Sequence, residues 1–362
     1  MTPDFSAPFA PTPHPLLNVV GALLSPLGSA APGAMELLSL AATALLGVAA
    51  FRLGRAVATV GVGALVALLV LTRPDPIRLA LSSALDIPYL ALVLMAAALE
   101  AERARRGMPV MALLGVAGLL RPEAWILAAA YALYAGWPAG RRRRAALLAA
   151  AAAAPVTWIL MDVVVTDDPL NSLAGAREAA SDRGLPQGVD AALSAIPAFS
   201  QQLLGMPILL GAAVGALFAA WQARGKMALP AALGVLAAVP FLAYGLAGSA
   251  LFPRYLLPTA AVLTLLCATG VAGWTAIPRG RPGRVPWMVA GGAVAALLLA
   301  TTPARVDDLA DVRAGVTKRA ALEEDLERLV EDAGGPRALG VSGSTLITSG
   351  PPRRLRVAKP AT

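Results

Sequence analysis

One cysteine, one histidine and a low density of charge set the first limits on this chain. Cys267 stands alone inside an apolar run, so no disulfide within the chain and no cysteine-based metal site can form. His14 is the sole histidine, which excludes a histidine-rich metal or haem site by count. Charged residues make up only 14% of the 362 positions, against about 25% in soluble domains. The apolar runs hold almost no interior charge, and no convincing signal peptide opens the chain, because no basic stretch precedes the apolar segment 16–27.

What is present is hydrophobic. Apolar residues are 57% of the chain and lie in long continuous runs. A helix needs roughly 20 such residues to cross about 30 Å of hydrocarbon. Only helices and closed barrels satisfy their own backbone groups in lipid, and continuous runs select helices. The expectation is an all-α, polytopic transmembrane bundle of about ten spans, near 33–52, 56–72, 84–101, 108–120, 123–138, 145–164, 206–223, 228–248, 256–276 and 286–303. The fourth and fifth form a hairpin broken at Arg121-Pro122, with the fourth too short to cross fully. Residues 1–30 read as a first outer loop with a membrane-surface helix, 31–304 as the bundle and 305–362 as a short extracytoplasmic tail. Within the tail, 307–331 reads as an amphipathic helix and 338–347 as a short strand.

The net charge of +8 is carried by short loops. Arg52 and Arg55, then Arg103, Arg105 and Arg106, then Arg141 to Arg144, then Arg224 and Lys226, then Arg279, Arg281 and Arg284 all fall on one side of a ten-span arrangement. That side is expected to be cytoplasmic. The distribution argues for a membrane partner and against nucleic acid. The Ala, Gly, Arg and Pro richness suits a GC-rich bacterial genome, hence a bacterial plasma membrane.

The other side collects Asp4, His14, Asp75, Asp86, Arg121, Glu123, Asp162, Arg254 and Tyr255. Several stand within or against apolar runs, where a charge is costly and usually faces a functional cavity. Each also has a plainer reading. Asp4 is then an acid near the start of the chain, His14 a loop residue, Asp75 a turn acid and Asp86 a helix cap. Arg121 and Glu123 would only pair with each other, Asp162 would be a solvated helix end, and Arg254 with Tyr255 an interface anchor. The Arg141–Arg144 run reads as a topology signal, and Trp125, Trp137, Trp158, Trp274 and Trp287 as interface belts.

Four stretches resemble the GT-C glycosyltransferases that use polyprenyl-phosphate sugars, the group including protein O-mannosyltransferases and aminoarabinose transferases. They are Asp4 followed by PTPHPLLNVVGALLSPLG, then SSALDIPYLALVLMAAAL, GVAGLLRPEAWILAAAYAL and FPRYLLPTAAVL. The resemblance implies sugar transfer from a polyprenyl-phosphate donor to a glycan, lipid or protein acceptor outside the membrane, with inversion. It makes Asp4 the catalytic general base, and the outer-side residues His14, Asp75, Asp86, Arg121, Glu123, Asp162, Arg254 and Tyr255 are then the expected substrate-binding set. Arg254 and Arg121 would stabilise the leaving phosphate. Some members use a divalent metal ion; no metal ligand is assigned here. In that family a transmembrane helix and often paired acids mark the first loop, whereas here three residues precede a solitary Asp4. The expectation is therefore a chain lacking that helix, through a late start or as a degenerate relative. The alternatives are a transporter or flippase of lipid-linked material and a catalytically inactive relative of the same fold.

Overall fold

The computed structural model describes residues 14–332, except 183, 185, 186 and 223. Asp4 and the strand expected at 338–347 lie outside the described residues. Among those described, every regular element is helical, as the uninterrupted apolar runs require. Fourteen α-helices follow one another among the described residues. They are α1 (Pro15–Leu24), α2 (Ala31–Val57), α3 (Val60–Leu71), α4 (Pro74–Leu81), α5 (Asp86–Glu102), α6 (Met108–Leu120) and α7 (Glu123–Gly136). Then come α8 (Arg141–Thr166), α9 (Asn171–Asp182), α10 (Val189–Gln222), α11 (Arg224–Leu246), α12 (Leu257–Ala272), α13 (Arg284–Ala300) and α14 (Thr302–Asp332).

The chain up to Val312 forms one compact unit, and the remainder forms a second. In the second, the described residues are the helical end of α14, where Arg328 pairs with Glu324 one turn earlier at 2.7 Å. The first unit is the bundle. Its centre is α5 and α12, which bury residues around their whole circumference: Leu94 to Ala98 are buried in unbroken sequence. A helix that is apolar and buried all round belongs to a protein interior. The outer helices instead turn large apolar side chains outward, among them Leu37, Val164, Leu217, Val235 and Leu299. So many exposed large apolar side chains on long apolar helices suit a lipid-facing surface. The protein has the character of a multi-pass membrane protein, with a lipid bilayer as its surroundings.

Each segment expected to span is largely helical, although 56–72 contains the break between α2 and α3. Among the described residues, five helical runs are long and apolar enough to cross a membrane, and up to seven if each of two bent pairs counts as one. By contrast α5, α6 and α7 contain 17, 13 and 14 residues, less than the roughly 20 of a full crossing. The connections are also more ordered than loops: residues 73–83 hold α4, and the stretch 165–205 holds α9 and the first half of α10. α10 is interrupted at Gly205, whose φ of 71° is left-handed, with Pro207 following. α3 and α4 meet at a 60° bend.

Close helix contacts come from glycine. A Cβ on Gly215 of α10 would sit 1.7 Å from the Leu266 carbonyl oxygen of α12, and one on Gly270 would sit 2.6 Å from the Gly211 oxygen. Gly211 and Gly215 lie four residues apart, the small-residue spacing that lets helix backbones touch in membranes.

The bundle has two polar ends. At one, Arg52 pairs with Glu102 at 2.6 Å, Arg143 donates to the Arg105 carbonyl at 2.9 Å and Thr59 bonds Thr275 at 3.1 Å. Basic loops from separate parts of the sequence therefore gather together. The other end holds the buried charges Asp86, Arg121 and Glu123.

Candidate functional site

The site is built on the break between α6 and α7. Pro122 cannot follow a helical residue comfortably, so Arg121 is extended (φ −147°, ψ 131°) and α6 stops at Leu120. Stopping a helix orphans its last carbonyls. Side chains from elsewhere satisfy them. The Gly118 oxygen accepts from the indoles of both Trp125 and Trp158 at 3.0 Å, and the Leu120 oxygen accepts from His14 Nδ1 at 2.9 Å. The edge of Trp158 meets His14 at 5.3 Å between ring centroids. His14, at the head of α1, is thus fixed against the break as an Nδ1–H tautomer.

The extended backbone sends Arg121 into the bundle. Its guanidinium bonds Asp86, the first residue of α5, and Glu123, the first residue of α7, the latter at 2.6 Å. All three residues are buried, between 3% and 7% exposed. Acids at the first turns of α5 and α7 also suit the positive ends of those helices. Asp86 does not cap α5; its carboxylate is used in the ion pair. The pairing of Arg121 with Glu123 is present, with Asp86 as an additional partner.

Aromatic rings close the cluster. The Arg121 guanidinium lies over Tyr89 and Tyr255, 5.7 and 5.1 Å from their centroids. Tyr255 packs on Tyr244 at 4.8 Å. Arg254 is exposed and lies over Phe252 and Tyr255 at 4.9 and 5.8 Å. Arg254 thus joins the edge of the cluster through the Tyr255 ring that Arg121 also lies over. Beside it lies an apolar cavity of about 220 Å³, lined by Leu16, Leu38, Leu85, Pro88, Leu92 and Leu120.

Residues of His14, Asp86, Arg121, Glu123, Arg254 and Tyr255 therefore share one neighbourhood. Asp75 and Asp162 have other partners. Asp75 pairs with Arg78 inside α4. Asp162 is buried, yet it accepts from the Ser172 backbone at 3.1 Å and the Ser172 hydroxyl at 2.7 Å, tying α8 to α9. Arg73 was not singled out from the sequence. It stands between α3 and α4, and its Nη2 donates to the Leu203 carbonyl at 2.6 Å. Its signal was an arginine closing an apolar run immediately before Pro74.

Burial depresses the His14 pKa below the ordinary histidine value, and the Arg121 charge depresses it further. A neutral ring that donates from Nδ1 keeps Nε2 as an acceptor. Among the described residues, no group of three or more His, Cys, Asp or Glu could hold a metal ion. No protein-family model matches the chain, and neither the curated proteins nor the solved structures include a match.

Proposed function

We propose that this chain is a membrane glycosyltransferase of GT-C type, moving a sugar from a polyprenyl-phosphate donor to an acceptor outside a bacterial plasma membrane. In this reading the helices make about ten crossings, and the buried charges face outward. The observation that carries it is convergence. The four stretches resembling that family are far apart in sequence, and His14, Asp86, Arg121 with Glu123, and Arg254 with Tyr255 supply one neighbourhood from all four.

The roles follow from what each group has left to offer. Arg121 is saturated by two carboxylates, so it organises the site and holds Asp86 and Glu123 in place. Arg254 lies at the exposed edge, and its planar fork suits a phosphate. Placed there, it would stabilise the charge that develops on the leaving phosphate. Asp4 takes the acceptor hydroxyl's proton as general base. The neighbouring apolar cavity suits the first isoprene units of the donor. Asp75 and Asp162 act in the scaffold rather than on substrate.

A second reading is movement of lipid-linked material across the membrane. Helices broken at mid-course are typical of transporters, and α10 breaks at Gly205 while α3 and α4 bend sharply. The deciding experiment uses purified protein in vesicles with a panel of polyprenyl-phosphate sugars and cell-envelope acceptors. Sugar transfer by the wild type, lost in Arg254→Ala and in Asp4→Asn, supports the enzyme. Translocation of the intact donor without transfer supports the transporter.

A further inference from the structure

The opposite end of the bundle, about 20 Å away along α6, holds an unbalanced concentration of arginine. Arg103, Arg105 and Arg106 follow α5, and Arg141 to Arg144 open α8. The structure joins the two groups, because Arg143 Nη2 donates to the Arg105 carbonyl at 2.9 Å. Like charges brought together this way repel unless something neutralises them.

Nearby carboxylates are already engaged. Glu100 is buried; it accepts from the backbone N–H groups of Arg105 and Arg106 and from the Tyr131 hydroxyl at 2.8 Å. The Tyr131 oxygen in turn accepts from the Gly107 backbone at 2.8 Å. Glu102 is shared between Arg52 at 2.6 Å and Arg106 at 3.6 Å. Glu100 thus sets the loop's shape, and Glu102 serves two cations at once. Arg144 is held by the carbonyls of Gly136 and Trp137. Among the described residues the guanidiniums of Arg103, Arg141 and Arg142 have no partner, and all three are exposed.

A second unfavourable term adds to the first. α8 begins at Arg141 with no acid in its first turn and no side-chain cap from Gly140. The start of a helix is its positive end, where arginine is disfavoured and an anion is stabilised. Two independent electrostatic conflicts at one spot are relieved by the same remedy, a negative group.

The surroundings say which kind. Trp137 is 79% exposed and Tyr134 46% exposed, with Leu133 and Met108 also open, all at this end of α6 and α7. Tryptophan and tyrosine at such positions sit at the headgroup level of a bilayer. The anion at that level is a lipid phosphate. We infer that the 103–106 and 141–144 loops form a binding site for an anionic phospholipid headgroup. This site is separate from the one proposed for sugar transfer and stands without it.

The test uses the purified full-length protein in nanodiscs of phosphatidylcholine alone or with added phosphatidylglycerol. The readouts are lipid retained on release, by native mass spectrometry, and the thermal midpoint. The variant is Arg103→Gln with Arg141→Gln and Arg142→Gln, residues that make no side-chain contact holding the fold. The wild type should retain phosphatidylglycerol preferentially and melt higher in its presence. The variant should lose that preference, by roughly fivefold for each arginine removed, while its midpoint in phosphatidylcholine stays unchanged. The matching triple lysine variant should keep most of the preference. Equal retention by wild type and the glutamine variant overturns the inference, and so does inorganic phosphate giving the same stabilisation as the lipid. If the triple glutamine variant fails to fold, Arg142→Gln alone gives the same reading.

Discussion

Arg73 donates two hydrogen bonds to one carbonyl, that of Leu203, at 3.1 Å from Nε and 2.6 Å from Nη2. The reason lies four residues on. Pro207 has no N–H to offer Leu203, and Gly205 interrupts the helix between them. The orphaned carbonyl is repaired from the α3–α4 bend, so two broken helices stabilise each other. Arg73→Ala should destabilise the bundle by about 1–3 kcal/mol, the range for an abandoned buried acceptor. Arg73→Lys, which offers one point of contact instead of a fork, should fall between. Thermal unfolding in detergent checks this order.

The buried ion cluster makes a sharper prediction. Removing one partner of a buried charge pair leaves an uncompensated charge and typically costs about 3–5 kcal/mol. Arg121→Ala leaves two buried carboxylates facing each other and should be the most damaging single change. Asp86→Asn and Glu123→Gln each leave the guanidinium one carboxylate and should be milder. A double-mutant cycle between positions 86 and 121 should show strong coupling. Additive effects would mean the pair is not the organising contact.

The α10–α12 contact depends on missing side chains. Gly215→Ala forces a Cβ onto the Leu266 carbonyl and should lower stability by at least about 1–3 kcal/mol, the usual range for overpacking. Gly292→Ala in α13, where a Cβ meets nothing within 4 Å, should be neutral or slightly stabilising. Parallel melting curves of the two variants separate packing from helix propensity.

Acid should weaken the protein through His14. The folded ring has a pKa below the 6.5 of a ring in water. Above that value both forms are neutral and nothing is gained or lost. As pH falls through it, the unfolded ring takes a proton that the folded ring resists, so stability declines. The wild type should lose more of its thermal midpoint between about pH 7.5 and about pH 5.5 than His14→Asn does. Equal losses would remove His14 as the cause.

Sequence made much of this legible, for reasons tied to particular residues. Long apolar runs with almost no charge marked the segments expected to span, because crossing length is set by hydrocarbon thickness. Pro122 marked the α6–α7 break because it constrains its predecessor. Asp86, Arg121 and Glu123 stood out because ions inside apolar runs need partners. Partner choice was not legible. Asp162 and Asp86 looked alike in sequence, yet one ties down Ser172 and the other binds Arg121, a difference set by helix packing. The role of Arg73 was hidden for the same reason, since its partner carbonyl is 130 residues away. The loops 73–83 and 165–205 carried helices because their polar residues follow helical spacing without long apolar runs.

The central claim is that a polyprenyl phosphate docks where the four stretches meet. Its most direct test is photocrosslinking with a polyprenyl-phosphate probe carrying a diazirine beside the phosphate, in vesicles with excess phosphatidylglycerol. Peptides labelled in a manner competed by unlabelled polyprenyl phosphate are then mapped. The account predicts competed labelling around 85–92, 119–125 and 252–257, reduced in Arg254→Ala. Competed labelling confined to 103–107 and 141–144, or none that competes at all, would contradict it.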